Sequence, residues 1–199
     1  MNRRKLFKAL LALFAILFMG IGLAGEKAKG KPKEETKWMR SPDVVYVGTA
    51  YDLVSRMLQM ANIKKGDVVY DLGCGDGRML ILAAQKYGCR GVGYDIDPER
   101  VKAARENVER NHVEKLVEIV QADIFTLDLS QATVFPIYLL PDMNQKLLPQ
   151  FDKVKPGSRI VCHNYDLAGI EAEKTVTVIS NEDNASHTLS LYVTPLKKK

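Results

Sequence analysis

The run Val68-Val69-Tyr70-Asp71-Leu72-Gly73-Cys74-Gly75-Asp76-Gly77-Arg78 joins a short apolar strand to a glycine-rich turn and then to a helix. Glycines at alternate positions let the backbone bend sharply and approach a ligand where a Cβ would collide. The helix that follows aims its unpaired N–H groups at the same place. The spacing is G-x-G-x-G rather than the G-x-G-x-x-G of dinucleotide folds, and Asp71 and Asp76 bracket it. Two carboxylates repel a pyrophosphate but suit a ligand that carries an ammonium group and no phosphate.

Two further acidic sites follow in order. Gly91-Val92-Gly93-Tyr94-Asp95-Ile96-Asp97 is a strand that ends in acid about twenty residues after the turn, the place where an acid binds ribose hydroxyls. Asp97 reads as the cap of the next helix, with Pro98 at its first position and Glu99 in its first turn. A third strand, residues 116–121, runs into Ala122-Asp123-Ile124-Phe125. A single Asp in such a place is most often a turn or cap residue. Three of them, each beyond an apolar strand and in order after the glycine turn, point to a ligand site.

The pattern alternates helix and strand, as a parallel sheet with crossover helices requires. Helices are expected at 50–61, 78–87 and 98–111, with another containing Leu147 and Leu148. Strands are expected at 116–121, from 132 and at 158–163, and a closing antiparallel hairpin over 174–180 and 187–194. Pro136 conflicts with a central fourth strand, because proline donates no ladder hydrogen bond. It is read as the start of an irregular active-site segment, Ile137-Tyr138-Leu139-Leu140-Pro141.

The 199 residues suffice for one sizeable core. Residues 1–40 hold ten Lys or Arg against three acids, whereas the remainder is net −2, so the body lacks the charge of a nucleic-acid binder. Residues 1–25 read as a membrane anchor or signal segment, with an uncharged stretch at 9–25, and residues 26–40 as a charged tether. The expected location is a cytoplasmic body anchored through residues 9–25; the alternative is export after cleavage near Ala24. Cys74, Cys89 and Cys162 read as buried or half-buried thiols, with a Cys89–Cys162 bridge left open. No metal-ligand cluster is visible in the sequence.

The glycine turn and its acids resemble the first motifs of the Rossmann-like class I methyltransferases that use S-adenosylmethionine (SAM). That resemblance implies an α/β fold over residues 41–196. Its sheet is mostly parallel and seven-stranded, with the C-terminal antiparallel hairpin and helices on both faces. It places Thr49, Asp71, Gly73, Gly75, Asp76, Asp95, Ile96, Asp123, Ile124 and Tyr138 around the cofactor, with Asp123 on the adenine amino group. The Asn-Pro-Pro-Tyr type of signature is missing at the fourth strand, where Tyr138-Leu139-Leu140-Pro141-Asp142-Met143-Asn144 stands. With Tyr46-Val47-Gly48-Thr49 and Ser186-His187-Thr188-Leu189, this is similar to the small protein-lysine methyltransferases: the archaeal broad-specificity type and the mitochondrial enzymes for the ATP synthase c subunit and the adenine nucleotide translocase. Gly48 departs from that family's usual proline, a change expected to loosen the loop over the cofactor, and Asn164 stands where an acid is common.

Methyl transfer to lysine is an in-line displacement by a neutral amine, so an ammonium of pKa about 10.4 must first lose its proton. Tyr46, Tyr138, Asn144 and His163 are the candidate catalytic residues. Each tyrosine serves either there or as a core aromatic with its hydroxyl satisfied. The expected function is methyl transfer from SAM to a protein lysine. The alternatives are a small-molecule methyltransferase acting on a quinone or lipid, and a non-catalytic exported SAM-binding protein.

Overall fold

The computed structural model describes residues 39–199. Helix α1 is Tyr51–Met60, followed by β1 Val68–Leu72, α2 Arg78–Tyr87, β2 Arg90–Asp95, α3 Pro98–Arg110, β3 Val117–Gln121 and β4 Val134–Ile137. Then come α4 Pro141–Phe151, β5 Arg159–His163, β6 Lys174–Ile179 and β7 Ser186–Val193. The seven strands form one sheet in the order β3-β2-β1-β4-β5-β7-β6. Pairing is parallel from β3 to β5, and β7 runs antiparallel to both β5 and β6.

The period of two along each strand builds a core on both sides. Val69, Val134 and Val161 join one cluster with residues of α1, α2 and α3. Their neighbours Tyr70, Phe135 and Ile160 join the other, with Leu147 and Phe151 of α4. Gly91 and Gly93 on β2 permit the close approach of α2, since a Cβ on either would lie 2.8 Å from Leu80. This arrangement matches the expected α/β sheet and hairpin.

Pro136 lies inside β4, paired with Val161 of β5, rather than after it. The strand tolerates it because pairing with β1 is confined to Val69↔Val134, so no ladder continues on that side for proline to interrupt. The irregular segment is correspondingly shorter: Tyr138, Leu139 and Leu140 alone separate β4 from α4. All three cysteines are buried and free, which closes the question of a Cys89–Cys162 bridge.

The membrane expectation is corrected. No helix among the described residues is long and apolar enough to cross a membrane. The stretch 9–25, on which an anchor, a signal and a membrane partnership were expected, lies outside the described residues. An anchored location therefore has no support.

Candidate functional site

Strand order reverses between β1 and β4, and in an open parallel sheet ligands bind beyond the carboxyl ends of the strands at that point. The glycine turn leaves β1 there. Gly73, Gly75 and Gly77 all have positive φ, at 84°, 54° and 80°, a region closed to most side chains. The turn is fastened to β2: Gly73 and Cys74 N–H both donate to the Tyr94 carbonyl, and Gly75 N–H donates to Asp95 Oδ2 at 2.9 Å. Asp95 Oδ1 also accepts from Asp97 N–H at 3.0 Å. Asp97 caps α3, taking Glu99 N–H at 2.9 Å with Pro98 at the first position.

Beside this turn lies a cavity of about 210 Å³ lined by Gly73, Asp95, Ile96, Ile124 and Tyr138, among others. A smaller space of about 30 Å³ continues from it between Thr49, Asp71, Asp76 and Tyr138. Asp71 is only 4% exposed, and no donor among the described residues reaches its carboxyl. Burial, reinforced by Asp95 and Asp76, pushes its pKa up to about 8. A buried, unpartnered acid facing a cavity is costly unless a cation is meant to meet it. Burial also raises Asp95.

Asp76 behaves differently. Burial pushes it up, but the Arg78 guanidinium, bonded at 2.7–3.0 Å, holds its carboxyl below the usual range. The same guanidinium donates to the Thr49 carbonyl at 2.8 Å, which clamps the segment before α1 onto the turn. Here lies the reason for Gly48: a Cβ at that position would sit 2.7 Å from Arg78 Cζ. Glycine therefore admits a clamp, contrary to the expected loosening. Asp123 caps the short 3-10 turn Ile124–Thr126 and pairs with Arg40 at 2.8 Å.

The expected catalytic residues separate into a wall and its supports. Tyr138 lies against the His163 ring at 4.0 Å between centroids and is nearly parallel to Tyr165 at 6.2 Å. The Tyr46 ring covers Gly75, where a Cβ would meet it at 2.0 Å, and takes the Arg100 guanidinium on its face at 4.7 Å. Asn144 is fully buried, and its Nδ2 donates to the Tyr165 carbonyl at 2.9 Å. His163 is buried as well and contacts Thr49 and His187.

Sequence reasoning missed four residues here. Arg40 was counted within the tether, and Arg78 had only its place after the last glycine to mark it. Tyr165 and Arg100 carried no signal, because their partners come from segments distant in the chain.

A family model for the ANTKMT methyltransferase domain matches residues 71–174. A protein-lysine N-methyltransferase of Saccharolobus islandicus is 40% identical over 154 residues, 76% of this chain and 94% of its own length. A ribosomal protein L11 methyltransferase of Burkholderia ambifaria is 38% identical over 102 residues, but the chain spans only 32% of it. Among solved structures, an RNA methyltransferase from Salinibacter ruber in complex with S-adenosyl-L-homocysteine superposes with a TM-score of 0.69 at 43% identity. The match covers 75% of this chain and 94% of that one. The unpartnered Asp71 and the glycine cradle fit the ammonium-bearing end of SAM, and the chain belongs to the ANTKMT methyltransferase family as a SAM-dependent enzyme.

Proposed function

We propose that the chain methylates the side-chain amine of a protein lysine. The observation that carries this reading is the aromatic wall that Tyr138 and Tyr165 present to the larger cavity. Aromatic faces accept both the methylene stem of lysine and its charge. The Saccharolobus islandicus relative, a protein-lysine N-methyltransferase, supports the same acceptor. The Salinibacter ruber structure is that of an RNA methyltransferase, but residues 41–199 of this chain are net −2, which opposes a polyanionic acceptor.

When bound, SAM supplies an electrophilic methyl group on a sulfonium. The chain's own residues hold and orient. In this reading Asp71, Gly73, Gly75 and Asp76 take the methionine end, Thr49 stands where that end meets Tyr138, Asp95 takes the ribose hydroxyls, and Asp123 takes the adenine amino group between Ile96 and Ile124. Tyr46 and Tyr138 bound the acceptor side and exclude water from it. Asn144 and His163 fix that wall from behind, so a near-attack geometry is held without rearrangement.

Incubating the full chain with methyl-labelled SAM, cell protein, RNA and lipid, and then locating the label by mass spectrometry, tests the proposal. Label on lysine side chains is the expected result. Label confined to RNA, to small molecules, or to protein carboxylates and thiols would refute it.

A further inference from the structure

We propose that Thr49, His163, His187 and Asp183 form a relay that carries the proton of the acceptor ammonium from the pocket to the protein surface. The inference rests on the lysine reading above. His163, at the end of β5, is 2% exposed. Its Nδ1 lies 3.3 Å from Thr49 Oγ1 and its Nε2 lies 2.9 Å from His187 Nδ1. His187, on β7, places Nε2 3.0 Å from Asp183 Oδ2 in the turn between β6 and β7, where the aspartate is half-exposed. Thr49 opens on the small cavity that Asp71 and Tyr138 also line.

The direction of this chain is set by a neighbour. Asn164 Oδ1 accepts from Thr188 N–H at 3.0 Å, which turns its Nδ2 toward His187 Nδ1 at 3.3 Å. A donor facing Nδ1 makes that nitrogen the acceptor, so neutral His187 carries its proton on Nε2 and donates to Asp183. His163 must then donate from Nε2 to His187, and its free Nδ1 accepts the Thr49 hydroxyl proton. The Thr49 oxygen keeps its lone pairs outside this chain of bonds.

Such a route answers an electrostatic problem. An amine arriving from water carries a proton and the reaction needs it neutral, while Asp71, Asp76 and Asp95 are engaged by SAM and by Arg78. His163 cannot keep the proton: burial, with His187 adding to it and Asp183 opposing, lowers its pKa to about 4. The groups facing the relay are Tyr138 from the end of β4, Tyr165 beyond β5, Arg78 of α2 at the Thr49 carbonyl, and Asp52 of α1 with Glu182 beside Asp183. Among the described residues, no group of three or more His, Cys, Asp or Glu side chains is arranged to hold a metal ion.

The transfer balances. The ammonium N–H bond breaks and its electron pair stays on nitrogen while the proton bonds to Thr49 Oγ1. The Thr49 hydroxyl proton moves to His163 Nδ1, and the His163 Nε2 proton moves to His187 Nδ1. His187 becomes an imidazolium beside the Asp183 carboxylate and yields its proton to water at the surface. Thr49 exchanges protons with the substrate, and His163, His187 and Asp183 act through it as positioning and relay residues.

The test uses the full chain, SAM and poly-L-lysine as acceptor. In His187→Asn, the amide oxygen can still accept from His163 but cannot take up a proton. It should lower kcat roughly 10²-fold near pH 7, recover toward wild type as the pH approaches the lysine pKa, and leave the KM for SAM unchanged. Asp183→Asn should show a smaller loss of the same shape. ¹⁵N NMR of the histidines in the S-adenosylhomocysteine complex should find His187 as the Nε2–H tautomer. A wild-type kcat–pH profile in His187→Asn, from an enzyme that methylates poly-L-lysine, overturns the relay and leaves the lysine reading standing. A wild-type enzyme that methylates no lysine overturns both, and the tautomer spectrum then shows whether the hydrogen-bonded chain itself exists. The opposite tautomer of His187 overturns the relay alone.

Discussion

Replacing Asp71 with Asn should stabilise the free protein at neutral pH while destroying its affinity for SAM. The side chain is buried without a donor, and burial first, then Asp95 and Asp76, pushes its pKa up to about 8 from 3.8. Between those values the folded protein keeps a proton that the unfolded chain releases. The contribution to stability is therefore fully present below about pH 4 and is lost as pH rises toward 8, by about 1.4 kcal/mol per pH unit. Over the whole window the loss is bounded on the order of 5 kcal/mol, and asparagine does not incur it. The same carboxyl must ionise to pair with the ammonium of SAM, so wild-type affinity should rise about tenfold per unit from pH 5.5 to 7.5. Urea unfolding and calorimetry with SAM, run on both proteins at several pH values, read the two effects. The reasoning fails if the two stability curves run parallel, or if wild-type affinity for SAM is flat across that range.

Three other outcomes follow from the site and its foundation. Gly73→Val should abolish SAM binding by calorimetry, because φ is 84° and a Cβ would already lie 3.2 Å from Leu139; retained affinity would displace the cofactor from this turn. Tyr138→Phe should lower kcat more than it weakens SAM binding, and full turnover in a labelled-methyl assay would reduce Tyr138 to packing. Asp67, before β1, accepts from Arg159 and Thr133 and from Lys64 N–H, and these bonds outweigh the burial that pushes its carboxyl up, holding it below its usual range. Asp67→Asn should cost about 1–3 kcal/mol in urea unfolding at pH 7, a deficit that shrinks below pH 4 as the wild-type acid protonates.

What the sequence made legible is what is local or periodic. The glycine turn, the cap at Asp97 and the alternation of Val69 with Tyr70 each depend on residues within a few positions, and the structure keeps them. The order of acids after successive strands placed Asp71, Asp95 and Asp123 at one edge of the sheet, because a parallel sheet brings all its carboxyl ends to one side. Pairings across the chain were not legible. Thr49 meets His163 across 114 positions and Arg40 meets Asp123 across 83, and no period in the sequence reports which polar ends converge. Asn144 shows the difference at a single residue. Its neighbours Tyr138 and Pro141 marked it as pocket-lining, and the structure buries it on α4 with its amide donating to the Tyr165 carbonyl. Side-chain direction on a helix is fixed by which face finds the core, and α4 buries Met143, Asn144, Leu147 and Phe151 together. On that buried face its Nδ2 finds a partner in the Tyr165 carbonyl, while its Oδ1 is buried without one. Residue type alone therefore pointed to the right region but not to the contact with Tyr165, which only the packing of α4 brings about.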